Sequence, residues 1–150
     1  TSELARSPGC GFSWTDDVAS MASPAVVAPT LTMPVAVVIT GAGGTADFFG
    51  GGTGIGTTPT LSWSPPRVGT PDVYSITVTA LANVGGTTRP VAIAKIYTPE
   101  TSATVPPGIL QAGQGYVLHV QAERRANVLA PFRTGLGDYA AVTVSGQFTP

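Results

Sequence analysis

From Val35 onward, short apolar runs alternate with clusters of glycine, proline and hydroxyl residues. Val35-Ala36-Val37-Val38-Ile39-Thr40 is rich in β-branched residues and reads as a first strand. In Thr60-Leu61-Ser62-Trp63-Ser64, Leu61 and Trp63 share one face, and Pro65-Pro66 ends the run. Tyr74, Ile76 and Val78 then alternate with Ser75, Thr77 and Thr79, which predicts a strand apolar inside and hydroxylated outside. Asn83-Val84-Gly85-Gly86-Thr87 reads as a turn, Val91–Thr98 as a further strand and Thr101–Val105 as a short one. In the next strand Tyr116, Leu118, Val120 and Ala122 face one way, and Val117, His119 and Gln121 the other. A long loop is expected from Glu123 to Gly137, followed by a last strand from Tyr139 to Ser145, with Phe148 as its cap. Ten of these residues are expected to share one core: Leu61, Trp63, Tyr74, Ile76, Val78, Leu110, Tyr116, Leu118, Val120 and Ala122.

Residues 1–33 lack this periodicity and are punctuated by Pro24 and Pro29, with Pro34 next. They are read as an N-terminal arm or linker, docked at most through Phe12 and Trp14, with the domain occupying 34–150. Between the first two strands, Gly41-Ala42-Gly43-Gly44-Thr45 looks at first like the opening of a dinucleotide-binding unit. That reading requires a helix next, whose N-terminal amides would hold the pyrophosphate. Instead Phe48-Phe49 is followed by glycines at 50, 51, 52, 54 and 56, and Thr45 stands where the short-chain dehydrogenase pattern has glycine. A mobile glycine loop is the expectation.

A leucine, a glycine-bearing turn and a tyrosine entering a strand (Leu110, Gly113, Gly115, Tyr116) would let the Tyr116 hydroxyl turn back to upstream backbone. Together with Leu61-x-Trp63-x-Pro65-Pro66 and Tyr74 eleven residues after Trp63, this resembles fibronectin type III domains. The resemblance covers roughly residues 34–150, with a small insertion at Pro106-Pro107-Gly108 before Leu110. It implies an all-β fold: a two-sheet antiparallel β-sandwich of about seven strands with Greek-key, fibronectin type III or immunoglobulin-like topology. It also implies a role, because such domains in bacteria commonly accompany extracellular enzymes and adhesins. The expected function is a non-catalytic spacer or protein-interaction module of a larger secreted or cell-envelope bacterial protein. Its partners would be neighbouring domains of the parent protein or another protein.

Composition narrows the chemistry. Only 10% of the 150 residues are charged, the net charge is −1, and a single lysine, Lys95, stands against six arginines. Nothing here steers the chain to nucleic acid or an anionic membrane, and no apolar run is long enough for a membrane-spanning helix. With 19 glycines and 14 prolines, many between apolar runs, the chain suits short strands rather than a helical bundle. The missing initiator Met suggests a mature or excised fragment. Ser7-Pro8-Gly9-Cys10 resembles a bacterial lipid-attachment site, but no hydrophobic segment precedes it.

Catalytic ingredients are scarce. His119 is the only histidine and is expected to face solvent, Cys10 lies in the arm, and no Gly-x-Ser-x-Gly elbow is present. One His and one Cys cannot make a structural zinc site. The eight carboxylates are scattered, and a loop calcium site using Asp72 or Asp138 is the one metal alternative. No enzyme activity, cofactor or metal is expected. The concentrated charge is in the last long loop, where Arg124, Arg125 and Arg133 stand near Phe132. Those four residues are the candidate partner contact, since loops of sandwich domains are where binding concentrates. The alternative is a carbohydrate-binding module using exposed aromatics such as Trp14, Tyr97 or Phe132, with polysaccharide as partner.

Overall fold

The computed structural model describes residues 9–14, 30–124 and 139–150. Those residues form ten strands and no helix: β1 (Gly9–Trp14), β2 (Val35–Gly41), β3 (Gly44–Asp47), β4 (Gly52–Thr53), β5 (Thr60–Ser64), β6 (Val73–Val84), β7 (Thr87–Thr98), β8 (Ser102–Thr104), β9 (Tyr116–Arg124) and β10 (Tyr139–Thr149). One sheet runs β3-β2-β5-β8. The other runs β1-β10-β9-β6-β7, with β4 added alongside β10. The described residues are all-β, and the two sheets face one core, as in a β-sandwich.

The alternating residues place that core. Leu61 and Trp63 from β5, Tyr74, Ile76 and Val78 from β6, and Tyr116, Leu118, Val120 and Ala122 from β9 are all buried in one cluster with Leu110. All ten residues expected there are present. Trp63 packs edge-on against Tyr74, ring centroids 5.3 Å apart, and joins the sheets across the middle.

Before β9 the chain turns a corner. The Tyr116 hydroxyl accepts a hydrogen bond from the Gln111 N–H at 2.9 Å, spanning the turn as its position in the sequence suggested. Gln114 ties the same turn to β6 through its side-chain amide, which donates to the Leu81 carbonyl at 2.7 Å. Leu81 N–H donates to the Gly115 carbonyl at 2.8 Å.

The glycine-rich stretch differs from the loop the sequence suggested. It contains β3, which pairs with β2, and β4, which pairs parallel with β10 in the other sheet. Phe48 between them is fully buried, and Ile55 beyond them is 3% exposed. The glycines allow backbone to meet backbone. A Cβ on Gly41 would collide with the Ile55 carbonyl, and one on Gly146 would lie 2.5 Å from the Phe49 carbonyl oxygen. Asp47 shapes the turn by accepting from the Phe49 and Gly50 N–H groups at 3.3 and 3.0 Å. Periodicity missed this segment because its two buried apolar anchors, Phe48 and Ile55, do not recur in an alternating run but stand seven residues apart across a glycine-rich stretch.

Four further differences concern the ends of elements. The last strand runs on to Thr149 through a bulge between Val144 and Gln147, so Phe148 sits opposite Tyr116 and is fully buried in the core. Ser145 steadies the bulge, accepting from Leu118 N–H at 2.8 Å and donating to the Gly146 carbonyl at 2.6 Å. β9 extends to Arg124, so Glu123 and Arg124 belong to a strand rather than to the loop expected from 123. Leu31 is 3% exposed in the core, and Thr32 exchanges hydrogen bonds with Val68. Within the stretch read as an arm, Gly9–Trp14 pair antiparallel with β10.

Candidate functional site

The hydroxylated face of β6 and the polar face of β9 meet on the outside of the larger sheet. Register places Thr77 opposite His119 and Ser75 opposite Gln121, with Lys95 and Tyr97 of β7 on the far side of the same two residues of β6. Glu123 is 8% exposed although it lies on this outer face. Ser75, fully buried, donates to Glu123 Oε1 at 2.6 Å. Lys95 Nζ lies 3.4 Å from the same oxygen, and Gln121 Nε2 donates to it at 3.4 Å. The ammonium also sits 5.1 Å from the Tyr97 ring centroid.

This arrangement satisfies a carboxylate that packing has removed from water. The hydroxyl supplies the short, charge-assisted bond, worth about 1.5–3 kcal/mol where partners are buried. Because the Lys95 side chain is 40% exposed, its ion pair is screened and contributes at most about 1 kcal/mol. The carboxylate is occupied with holding the face together.

His119, expected to face solvent, does lie on the outer face but is half-buried there, between Thr77 on β6 and Val144 on β10. Among the described residues no group of three or more His, Cys, Asp or Glu side chains could hold a metal ion. Tyr74 lies in the core, 4% exposed. Burial pushes its phenol above the usual tyrosine value of 10.0.

Of the four candidate contact residues, Arg124 is exposed at the end of β9, opposite Tyr139. Arg125, Phe132 and Arg133 lie outside the described residues, as does Asp138. Of the aromatics considered for carbohydrate, Phe132 is outside them too, and Trp14 is placed only as the last residue of β1. Tyr97 is 53% exposed on the outer face of β7. Phe49, not singled out by the sequence, is 43% exposed in the turn after β3 and packs edge-on against buried Phe48.

The β6–β7 hairpin carries apolar exposure of its own. Its turn is tight, with Gly85 and Gly86 both at positive φ (60° and 79°), as hairpins of this kind require. β9 pairs with β6 only as far as Ala80, so the tip extends beyond it. Val84 in that tip is 51% exposed, and Val91 and Ile93, further back on β7, are 43% and 44% exposed. Ile93 is the extra residue of a bulge opposite Val78 and Thr79.

No helix among the described residues is long and apolar enough to cross a membrane. Comparison of the chain with protein-family models, with curated proteins and with solved structures finds no match.

Proposed function

We propose that this chain is a fibronectin type III-like domain serving as a non-catalytic spacer or interaction module in a larger secreted or cell-envelope bacterial protein. The observation that carries the reading is the hydrogen bond from Gln111 N–H to the Tyr116 hydroxyl at the entry to β9. A bond in this place is what a tyrosine corner would make on the leucine, glycine turn and tyrosine that suggested the family, and so it supports the reading. The strand order supports the same reading. β2, β5 and β8 in one sheet, and β6, β9 and β10 in the other, correspond in order to A, B, E and C, F, G of such sandwiches. The crossings between sheets from β5 to β6, from β7 to β8 and from β8 to β9 are compatible with the Greek-key connections of that family.

Fold alone does not assign a role. What favours a module over an enzyme is how the polar groups are used. Glu123 is held by Ser75 and Lys95, and Ser145 braces a bulge.

The deciding experiment is the charge-reversal triple Arg124→Glu, Arg125→Glu, Arg133→Glu. The unaltered chain is expected to bind the adjoining domain of its parent protein in calorimetry, and the triple to lose that binding with an unchanged melting temperature. Binding of soluble polysaccharide instead would move the assignment to a carbohydrate-binding module. Hydrolase activity abolished by His119→Ala would overturn the non-enzymatic reading.

A further inference from the structure

β10 has an edge that the chain covers with its own distant parts. Tyr139–Val144 is paired by β1, and Phe148-Thr149 by β4, on either side of the bulge. β4 is locked in place by its neighbours: Gly54 N–H donates to the Thr149 carbonyl at 2.9 Å, and Phe48 and Ile55 are buried beside it. β1 is attached differently. It adds six residues to the outside of the sheet, in antiparallel register from Gly9 opposite Val144 to Trp14 opposite Tyr139. Fifteen residues, 15–29, separate it from Thr30, where the described body resumes.

A connection of that length reaches roughly 50 Å when extended. A 150-residue domain has a radius of gyration of only about 15 Å. The ladder itself does not require β1 and β10 to belong to the same molecule. Exchange of an identical element between protomers is a low-cost route to dimers, because every bond lost is formed again.

We infer that the β10 edge also accepts β1 from a second copy of this chain, in a reciprocal exchange that leaves both sandwiches complete. The occupant is specified by the molecule itself: Gly9–Trp14, in the register they already have. The closed monomer wins by proximity alone. Two segments joined by a short flexible linker meet at an effective concentration of about a millimolar, which sets the scale at which exchange would compete. Neighbouring copies fixed on a surface or repeated along one polypeptide would reach it routinely. The inference concerns the β1–β10 ladder only and stands or falls independently of the spacer reading.

Cys10 stands opposite Thr143 in the register, which supplies a reporter. Opposed residues of an antiparallel pair lie about 4.5–5.5 Å apart between Cα atoms, within the range a disulfide bridges. Thr143 is fully buried, and its hydroxyl has no hydrogen-bond partner, so Thr143→Cys preserves shape and breaks no bond. The full-length variant is oxidised at concentrations from ~10 μM to several mM, and the linkage between Cys10 and the introduced cysteine is mapped by mass spectrometry. The expected result is an intramolecular disulfide at low concentration and a covalent dimer through the same two cysteines rising to about half of the protein near ~1 mM. An intramolecular disulfide at every concentration overturns the inference, and so does failure of the folded variant to form any bond between these two cysteines. Sedimentation equilibrium on the unaltered chain guards against misfolding of the variant: a strict monomer above ~1 mM also overturns it.

Discussion

Tyr116 shows how one atom can decide a local fold. Its ring is buried, and its hydroxyl accepts the backbone N–H of Gln111, a donor left without a partner if that oxygen is removed. Tyr116→Phe is therefore expected to cost about 1–2 kcal/mol in denaturant melts, with little change in shape. Trp63→Ala empties the contact between the sheets and is expected to cost about 3–5 kcal/mol by the same measurement. Tyr74 adds a pH dependence. Its phenol is harder to ionise when folded than when unfolded, so its contribution is complete below pH 10 and is lost as pH rises through its elevated folded value. Urea melts from about pH 8 to 11 should show stability falling above the ordinary tyrosine value of about 10, and Tyr74→Phe should remove part of that fall. These residues were legible in the sequence because each is large and sits at a fixed step in an alternating apolar run or beside a turn. Glu123 was not: nothing in Gln121-Ala122-Glu123-Arg124 distinguishes a carboxylate that Ser75 and Lys95 will hold from one facing water.

At the level of elements, alternation revealed the strands that lie half in the core and missed those built on backbone. β6 and β9 show an apolar inner face against a polar outer one, and both were visible as such. β3 and β4 follow no apolar period. They exist because glycines at 41, 51 and 146 let chains approach more closely than any side chain permits. Gly146→Ala is accordingly expected to lower stability by about 1–3 kcal/mol, as forced overpacking does. Gly52→Ala, with nothing within 4 Å of the added carbon, should be tolerated. Comparing the two melts separates a packing requirement from a general need for glycine. Equal losses would mean that the stretch is held by something other than close backbone contact.

For the molecule as a whole, the boundary of the folded body is set by burial rather than by the first visible strand. Leu31 enters the core ahead of the boundary at residue 34 that proline spacing suggested, and Thr32 is bonded to Val68. Removal of residues 1–28 should leave a cooperatively unfolding domain. Leu31→Ala in the full chain should cost about 2–5 kcal/mol, as loss of a core leucine does. The overall architecture was readable because a sandwich needs only repeated inner faces. The candidate contact loop was harder to assess, since its arginines follow no period and only Arg124, at the end of β9, falls within the described strands.

The position of β10 in the chain has a consequence for biosynthesis. This C-terminal strand pairs with β9 and also with β1 and β4, whose sequences are made more than eighty residues earlier. Emerging from the ribosome at about 5–20 residues per second, the first half of the chain waits several seconds for the strand that aligns it. Until then, the edges of β4 and β9 that β10 will cover are open to water and to neighbouring nascent chains. The sandwich is thus completed only once Tyr139–Thr149 has been made and released, and a nascent chain stalled just before Tyr139 would carry most of the core but not the strand that closes it.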